Sequence, residues 1–75
     1  MQTSLDRVCM GETVVVTALS VAPGLEKRLR DFGFVPGTSV QCCYRHPGGK
    51  VTAVTCRGAV IAMRTCDICG IQVRC

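Results

Sequence analysis

Aromatic side chains are scarce in this chain: Phe32, Phe34 and Tyr44, with no tryptophan, among 75 residues. Aliphatic side chains and cysteines must therefore fill the interior. Base stacking on exposed aromatics is not available once the two phenylalanines are used in the core and at a helix end, and no block of consecutive basic residues offers a phosphate-binding stripe. The reading is that the chain does not bind nucleic acid. Acidic residues are also few, Asp+Glu 5 against Lys+Arg 9, for a net charge of +4. Glu12, Glu26, Asp31 and Asp67 are scattered, and the one histidine, His46, sits beside Pro47 in a turn. A cysteine nucleophile beside His46 would lack the third, orienting group that covalent catalysis needs. The Gly48-Gly49 pair is not a phosphate loop, because the strand–GxxxxGK–helix order is missing. The expectation is a protein that is not an enzyme.

Long apolar runs are missing too. The longest, Val14-Val15-Val16 within "TVVVTAL", is far short of the ~20 residues that span a bilayer, and "MQTSLDRVCMGE" holds no apolar segment of signal-peptide length. A cytoplasmic chain without direct membrane insertion is expected.

What the chain has in excess is cysteine, seven in all. Cytosolic thiols stay reduced, and an odd count does not fit a closed disulfide set. They are read as small buried hydrophobes, free surface thiols or metal ligands. At 48% hydrophobic and 19% charged residues the composition is that of a globular chain. Its length makes one domain, residues 1–75, with a thin core.

Glycine and proline cut the sequence into short pieces. "SLDRVCMGE" reads as a helical turn with Leu5 and Val8 inward, ended by Gly11, and "TVVVTAL" (13–19) is the clearest strand. "APGLEKRLRDFGF" (22–34) is the one good helix: Leu25, Leu29 and Phe32 recur at i, i+4, i+7 as an apolar stripe, and Glu26 and Arg30 form an i,i+4 pair. Gly33 stands where a left-handed residue closes a helix, with Phe34 after it able to pack back on Leu29. "VPGT" (35–38) is a type II turn. "TSVQCCYRH" (38–46) is a strand with Val40, Cys42 and Tyr44 on one face and Cys43 on the other. "KVTAVTC" (50–56) and "AVIAMRT" (59–65) are joined by Arg57-Gly58, a hairpin-length loop. A turn at "TCDICG" (65–70), capped by Thr65, leads to a last strand, "IQVRC". Short strands with tight turns predict a small closed barrel, mainly β, of about five strands with one inserted amphipathic helix. The predicted core is Leu5, Val14, Val16, Leu19, Leu25, Leu29, Phe32, Val40, Cys42, Val54, Ile61, Met63, Ile68, Ile71 and Val73.

The segment "LRDFGFVPGTSV" (29–40), carried by Leu29, Phe32, Gly33, Phe34, Pro36, Gly37 and Val40, resembles the helix-end and turn signature of the FeoA family. "GG" (48–49), "RG" (57–58), "IAMR" (61–64) and a final Ile71-x-Val73 follow in the family's order. "MGETVVV" (10–16) matches the family's opening except that Met10 replaces a proline. The resemblance implies an SH3-like barrel without catalytic activity. It also implies a partner, the cytosolic part of the FeoB-type membrane iron transporter, and a role as its accessory in ferrous iron uptake. Related SH3-like domains occur in iron-dependent repressors.

Two sets of site residues follow as expectations. The first is a partner-binding face on the helix and the turn after it, made of Leu25, Lys27, Arg28, Arg30, Phe34 and Pro36. An acidic partner would suit its cations by electrostatic steering, although a solvated helix face explains them equally well. The second is Cys66 and Cys69, which lie about 60° apart on a helical turn at 100° per residue. They point outward together if Ile68 plugs the barrel. No cofactor is required, but Fe2+ or Zn2+ held by this pair, with help from another chain or thiol, defines an alternative as a metal-binding or metal-sensing protein. Cys9 and Cys75 are the other conceivable ligands. A homo-oligomer is compatible with either reading.

Overall fold

The structure is a computed structural model that describes residues 2–74. In chain order it contains β1 (Gln2–Ser4), a 3₁₀ turn (Leu5–Arg7), β2 (Thr13–Leu19), α1 (Pro23–Asp31), β3 (Ser39–Arg45), β4 (Val51–Cys56), β5 (Ala59–Arg64), α2 (Thr65–Ile68) and β6 (Ile71–Arg74). The six strands form one antiparallel sheet in the order β1-β6-β2-β3-β4-β5. The extra strand over the sequence expectation is β1. Its residues, Gln-Thr-Ser, carry no apolar alternation, and only the β6 edge they pair with makes them a strand.

The sheet curls around a single core of Leu5, Val8, Val14, Val16, Leu29, Phe34, Val40, Cys42, Val54, Cys56, Ile68, Ile71 and Val73. Alternation produces it: Val14 and Val16 of β2, Val40 and Cys42 of β3, and Ile71 and Val73 of β6 all turn the same way. Leu19, Leu25, Ile61 and Met63 flank this core half-buried. Among the described residues the expected closure is not made by hydrogen bonds. The ladder ends at β1 and β5, and α2, with Ile68 fully buried, packs between β5 and the 3₁₀ turn to plug the opening.

Two inward assignments are corrected. Tyr44 is 53% exposed rather than facing the core with Val40 and Cys42. The β3–β4 register slips after Cys42, pairing Cys42 with Val54 but Tyr44 with Ala53, so a bulge at Cys43 inverts the alternation. Phe32 is 46% exposed, while Phe34 is fully buried. The helix stripe predicts Phe32 inside because it assumes that the core covers the whole apolar stripe, and beside the edge strand β5 the end of that stripe lines an open groove.

The end of α1 follows the predicted chemistry. Phe34 N–H donates to Leu29 O at 2.9 Å and Gly33 N–H to Arg30 O at 3.0 Å, with Gly33 at φ +99°. These are the two bonds of a Schellman closure, and they fold Phe34 back beside Leu29. In the type II turn, Thr38 N–H donates to Val35 O at 3.1 Å and Gly37 has φ +95°. The β4–β5 hairpin turns on Arg57 (φ 53°) and Gly58 (φ 81°), the two positive angles of a type I′ turn.

Gly70 serves a different purpose. A Cβ there would run into the Ser20 carbonyl oxygen and approach Val21 Cγ1 to 2.6 Å. Only glycine lets the chain after α2 lie against the end of β2, where Ser20 N–H donates to Gly70 O at 2.7 Å.

Candidate docking surface

α1 begins with Pro23 in its first turn, whose fixed φ and missing N–H suit that position. Of its cations, Arg30 pairs with Glu26 at 2.8 Å, as the i,i+4 spacing predicts. Lys27 and Arg28 are exposed, and among the described residues neither has a carboxylate partner. Pro36 is exposed on its turn, which β2 anchors: Gly37 N–H donates to Val16 O at 2.8 Å, and Val16 N–H to Thr38 O at 2.9 Å. Leu25 is half-buried. Phe34 does not belong with this set, because its place in the closure of α1 buries it completely.

The sequence reading missed the other wall of this surface. Between α1 and β5 runs a groove of about 290 Å³. Leu25 and Phe32 line it from the helix, Ile61 and Met63 from the strand, and Arg28 and Arg64 stand at its rim. Arg64 also grips Asp67 with two bonds, Nε to Oδ2 at 2.9 Å and Nη2 to Oδ1 at 3.3 Å. The signal in the sequence is the run Ala59–Met63, which alternation alone reads as an ordinary half-buried strand.

α2 starts one residue earlier than expected. Arg64 is its N-cap, without a side-chain bond, rather than Thr65. The Thr65 hydroxyl instead bonds the buried Thr52 hydroxyl at 3.0 Å, and Arg45 Nε donates to Thr52 Oγ1 at 3.4 Å. Arg45 further donates to Val8 O at 3.2 Å, so this polar cluster fixes the start of α2 against β3 and β4. A buried hydroxyl needs such partners, and this need overrides capping.

Cys66 and Cys69 are both exposed, on the side of α2 away from Ile68, as expected. The Cys69 thiol turns back to donate to Cys66 O at 2.9 Å. Among the described residues no three His, Cys, Asp or Glu side chains converge on a point that would hold a metal. Tetrahedral zinc takes four such ligands, so among the described residues the pair is half a donor set. Cys75 lies outside the described residues. Cys42 and Cys56 are core residues, and burial pushes the Cys56 thiol up, with the neighbouring Arg57 partly opposing it. His46 accepts a bond from Gly48 N–H at 3.4 Å and is exposed. Among the described residues no helix is long and apolar enough to cross a membrane.

A family model described as the FeoA domain matches residues 3–75. Among solved structures, the chain is similar to the solution structure of FeoA protein from Chlorobium tepidum, with 29% identity and a TM-score of 0.91, covering 96% of this chain and 69% of that one. It is similar to Stenotrophomonas maltophilia FeoA, a prokaryotic SH3 domain protein complexed with zinc, with 24% identity and a TM-score of 0.87 over 96% of this chain and 89% of that one. A manganese-dependent transcriptional repressor shares the fold at 16% identity, with a TM-score of 0.86 over 96% of this chain and 40% of that one. No curated protein matches the chain. The SH3-like small-barrel architecture expected from the resemblance is thereby borne out, with six strands in an unclosed ladder.

Proposed function

The chain belongs to the FeoA family, and from that membership we propose that it acts, without catalysis, as an accessory of ferrous iron transport by binding the cytosolic part of a FeoB-type transporter. The observation that carries the docking element is the exposed basic face of α1, with Lys27 and Arg28 unpaired among the described residues and Arg30 beside them. A cation that folding leaves without a carboxylate is available to an acidic partner, and its contribution lies chiefly in steering the encounter. Leu25 and Pro36 flank these cations and supply apolar contact. The barrel holds the helix rigid, because the Schellman closure and buried Leu29 lock its end.

The test is a titration of the transporter's cytosolic domain with the chain and with Lys27→Glu/Arg28→Glu/Arg30→Glu. The association rate should fall at least about tenfold on charge reversal, and the wild-type rate should fall with added salt. Binding that survives charge reversal unchanged rejects α1 as the docking face. Absence of binding in every nucleotide state of the transporter domain rejects the accessory role.

A further inference from the structure

The two edges of the sheet are built differently. β1 is three residues long and polar, the usual way an edge is kept from pairing. β5 is six residues long, and Ala59 to Met63 hold no charge and no proline. Its pairing with β4 runs without a register shift, so no bulge twists the edge away. Its backbone is accordingly open. In the two-residue hairpin Cys56 and Ala59 form the closing hydrogen-bonded pair, and antiparallel bonding then alternates along the ladder. Thr65 N–H donating to Lys50 O at 2.8 Å keeps the same phase. Val60 and Ala62 therefore turn N–H and C=O away from β4, and Arg64 its N–H, while the Arg64 C=O opens the α2 ladder as its N-cap. Among the described residues none of the outward groups of Val60 and Ala62, nor the Arg64 N–H, has a turn or loop partner. Val60 is 68% exposed.

We propose that the free edge of β5 and the α1–β5 groove together form a strand-addition site for an extended segment of a protein partner that alternates acidic and apolar side chains. The partner's backbone pairs with Val60 and Ala62 and accepts from the N–H of Arg64. Its apolar side chains enter the groove against Phe32, Ile61 and Met63, and so cover the side of Phe32 that folding leaves open. Its carboxylates meet the guanidinium groups at the rim, Arg28 and Arg64, with Arg57 at the hairpin tip. Arg64 is paired with Asp67 but its side chain remains exposed, and the other two have no carboxylate partner among the described residues. Main-chain bonds supply affinity in this mode, and alternate side chains supply specificity. A second copy of the chain fits less well: antiparallel β5–β5 pairing would bring Arg57 and Arg64 of both copies together, in a chain already at +4.

This site deepens the docking role proposed above, but its test does not need the transporter. The probe is a short synthetic peptide alternating glutamate with valine or isoleucine, titrated into the isotope-labelled chain and followed by amide NMR and hydrogen exchange. Shifts and added protection should centre on Val60, Ala62 and Arg64. Ala62→Pro removes an outward N–H that β4 does not use, so the barrel should keep its spectrum while affinity falls about tenfold. Should that variant unfold, Arg28→Glu/Arg64→Glu serves instead and should weaken the peptide by a similar factor. A lysine-for-glutamate peptide should not bind. Four results overturn the proposal: no peptide binding, shifts centred on Lys27 and Arg30, equal binding of the lysine peptide, or β5 amide shifts that depend on chain concentration without peptide, which would make a second copy the occupant. If the transporter domain binds Ala62→Pro as well as wild type, this site fails while the accessory role stands.

Discussion

Phe32 and Phe34 stand two residues apart, and the structure gives them opposite fates, 46% exposed and fully buried. Phe34→Ala empties a site enclosed by the core and should cost about 3–5 kcal/mol, transfer and cavity combined. Phe32→Ala uncovers a half-open groove wall and leaves no enclosed cavity, so about half of a transfer term, about 1–1.5 kcal/mol, is expected. A chain of 75 residues has a total stability of about 4–11 kcal/mol. The first change therefore removes a large part of it and the second a small part. Urea unfolding reads the difference as a fall in midpoint at unchanged slope. In melting temperature it corresponds to upwards of about 12 °C for Phe34→Ala and about 4–12 °C for Phe32→Ala. If Phe34→Ala does not fold, Phe34→Leu, at about 1–2 kcal/mol, keeps the order measurable against Phe32→Leu, which should be near neutral. Equal losses, or a larger loss at Phe32, would refute the assignment of Phe34 to the core and of Phe32 to the groove. A partner-binding Phe34, as the sequence pattern suggests, requires that refuting result.

Two further outcomes follow from the packing. Gly70→Ala places a methyl group against the Ser20 carbonyl and Val21, so the α2–β6 connection must shift; a loss of at least about 2 kcal/mol is expected, and a melting temperature within a degree of wild type would show that the two segments are not in contact. Burial holds the Cys56 thiol neutral in the folded chain, raised above its ordinary value of 9.0. The folded state then binds that proton more tightly than the unfolded chain does, so its contribution is intact below pH 9 and is lost as pH rises above it. Cys56→Val should flatten the alkaline fall in stability measured by urea titration; an unchanged slope would assign the fall to other groups.

Local chemistry made much of the fold legible in the sequence. Alternation placed β2, β3, β4 and β6, and the Phe32-Gly33-Phe34 ending of α1 carried its own stop signal. The Pro36-Gly37 and Arg57-Gly58 turns announced their positive angles, because backbone sterics restrict who can sit there. Cys42 and Cys43 on opposite faces, and Ile68 inside with Cys66 and Cys69 outside, came from the same periodicities. The errors share one cause. Tyr44 faces out because a bulge breaks the period, Thr65 bonds Thr52 instead of capping α2, and β1 exists only because β6 offers it an edge. Each depends on a partner distant in the chain.

The candidate site divides the same way. Two of its cations, Lys27 and Arg30, could be set on the outer face of a helix from spacing alone, since helical periodicity is a local property; that Arg28 stands at the rim of a groove could not. That Phe34 is withdrawn into the core, that Phe32 and Met63 face each other across a groove, and that β5 rather than β4 ends the sheet follow from strand order. Strand order is settled by which apolar faces must be buried together, a global balance that no window of the sequence contains.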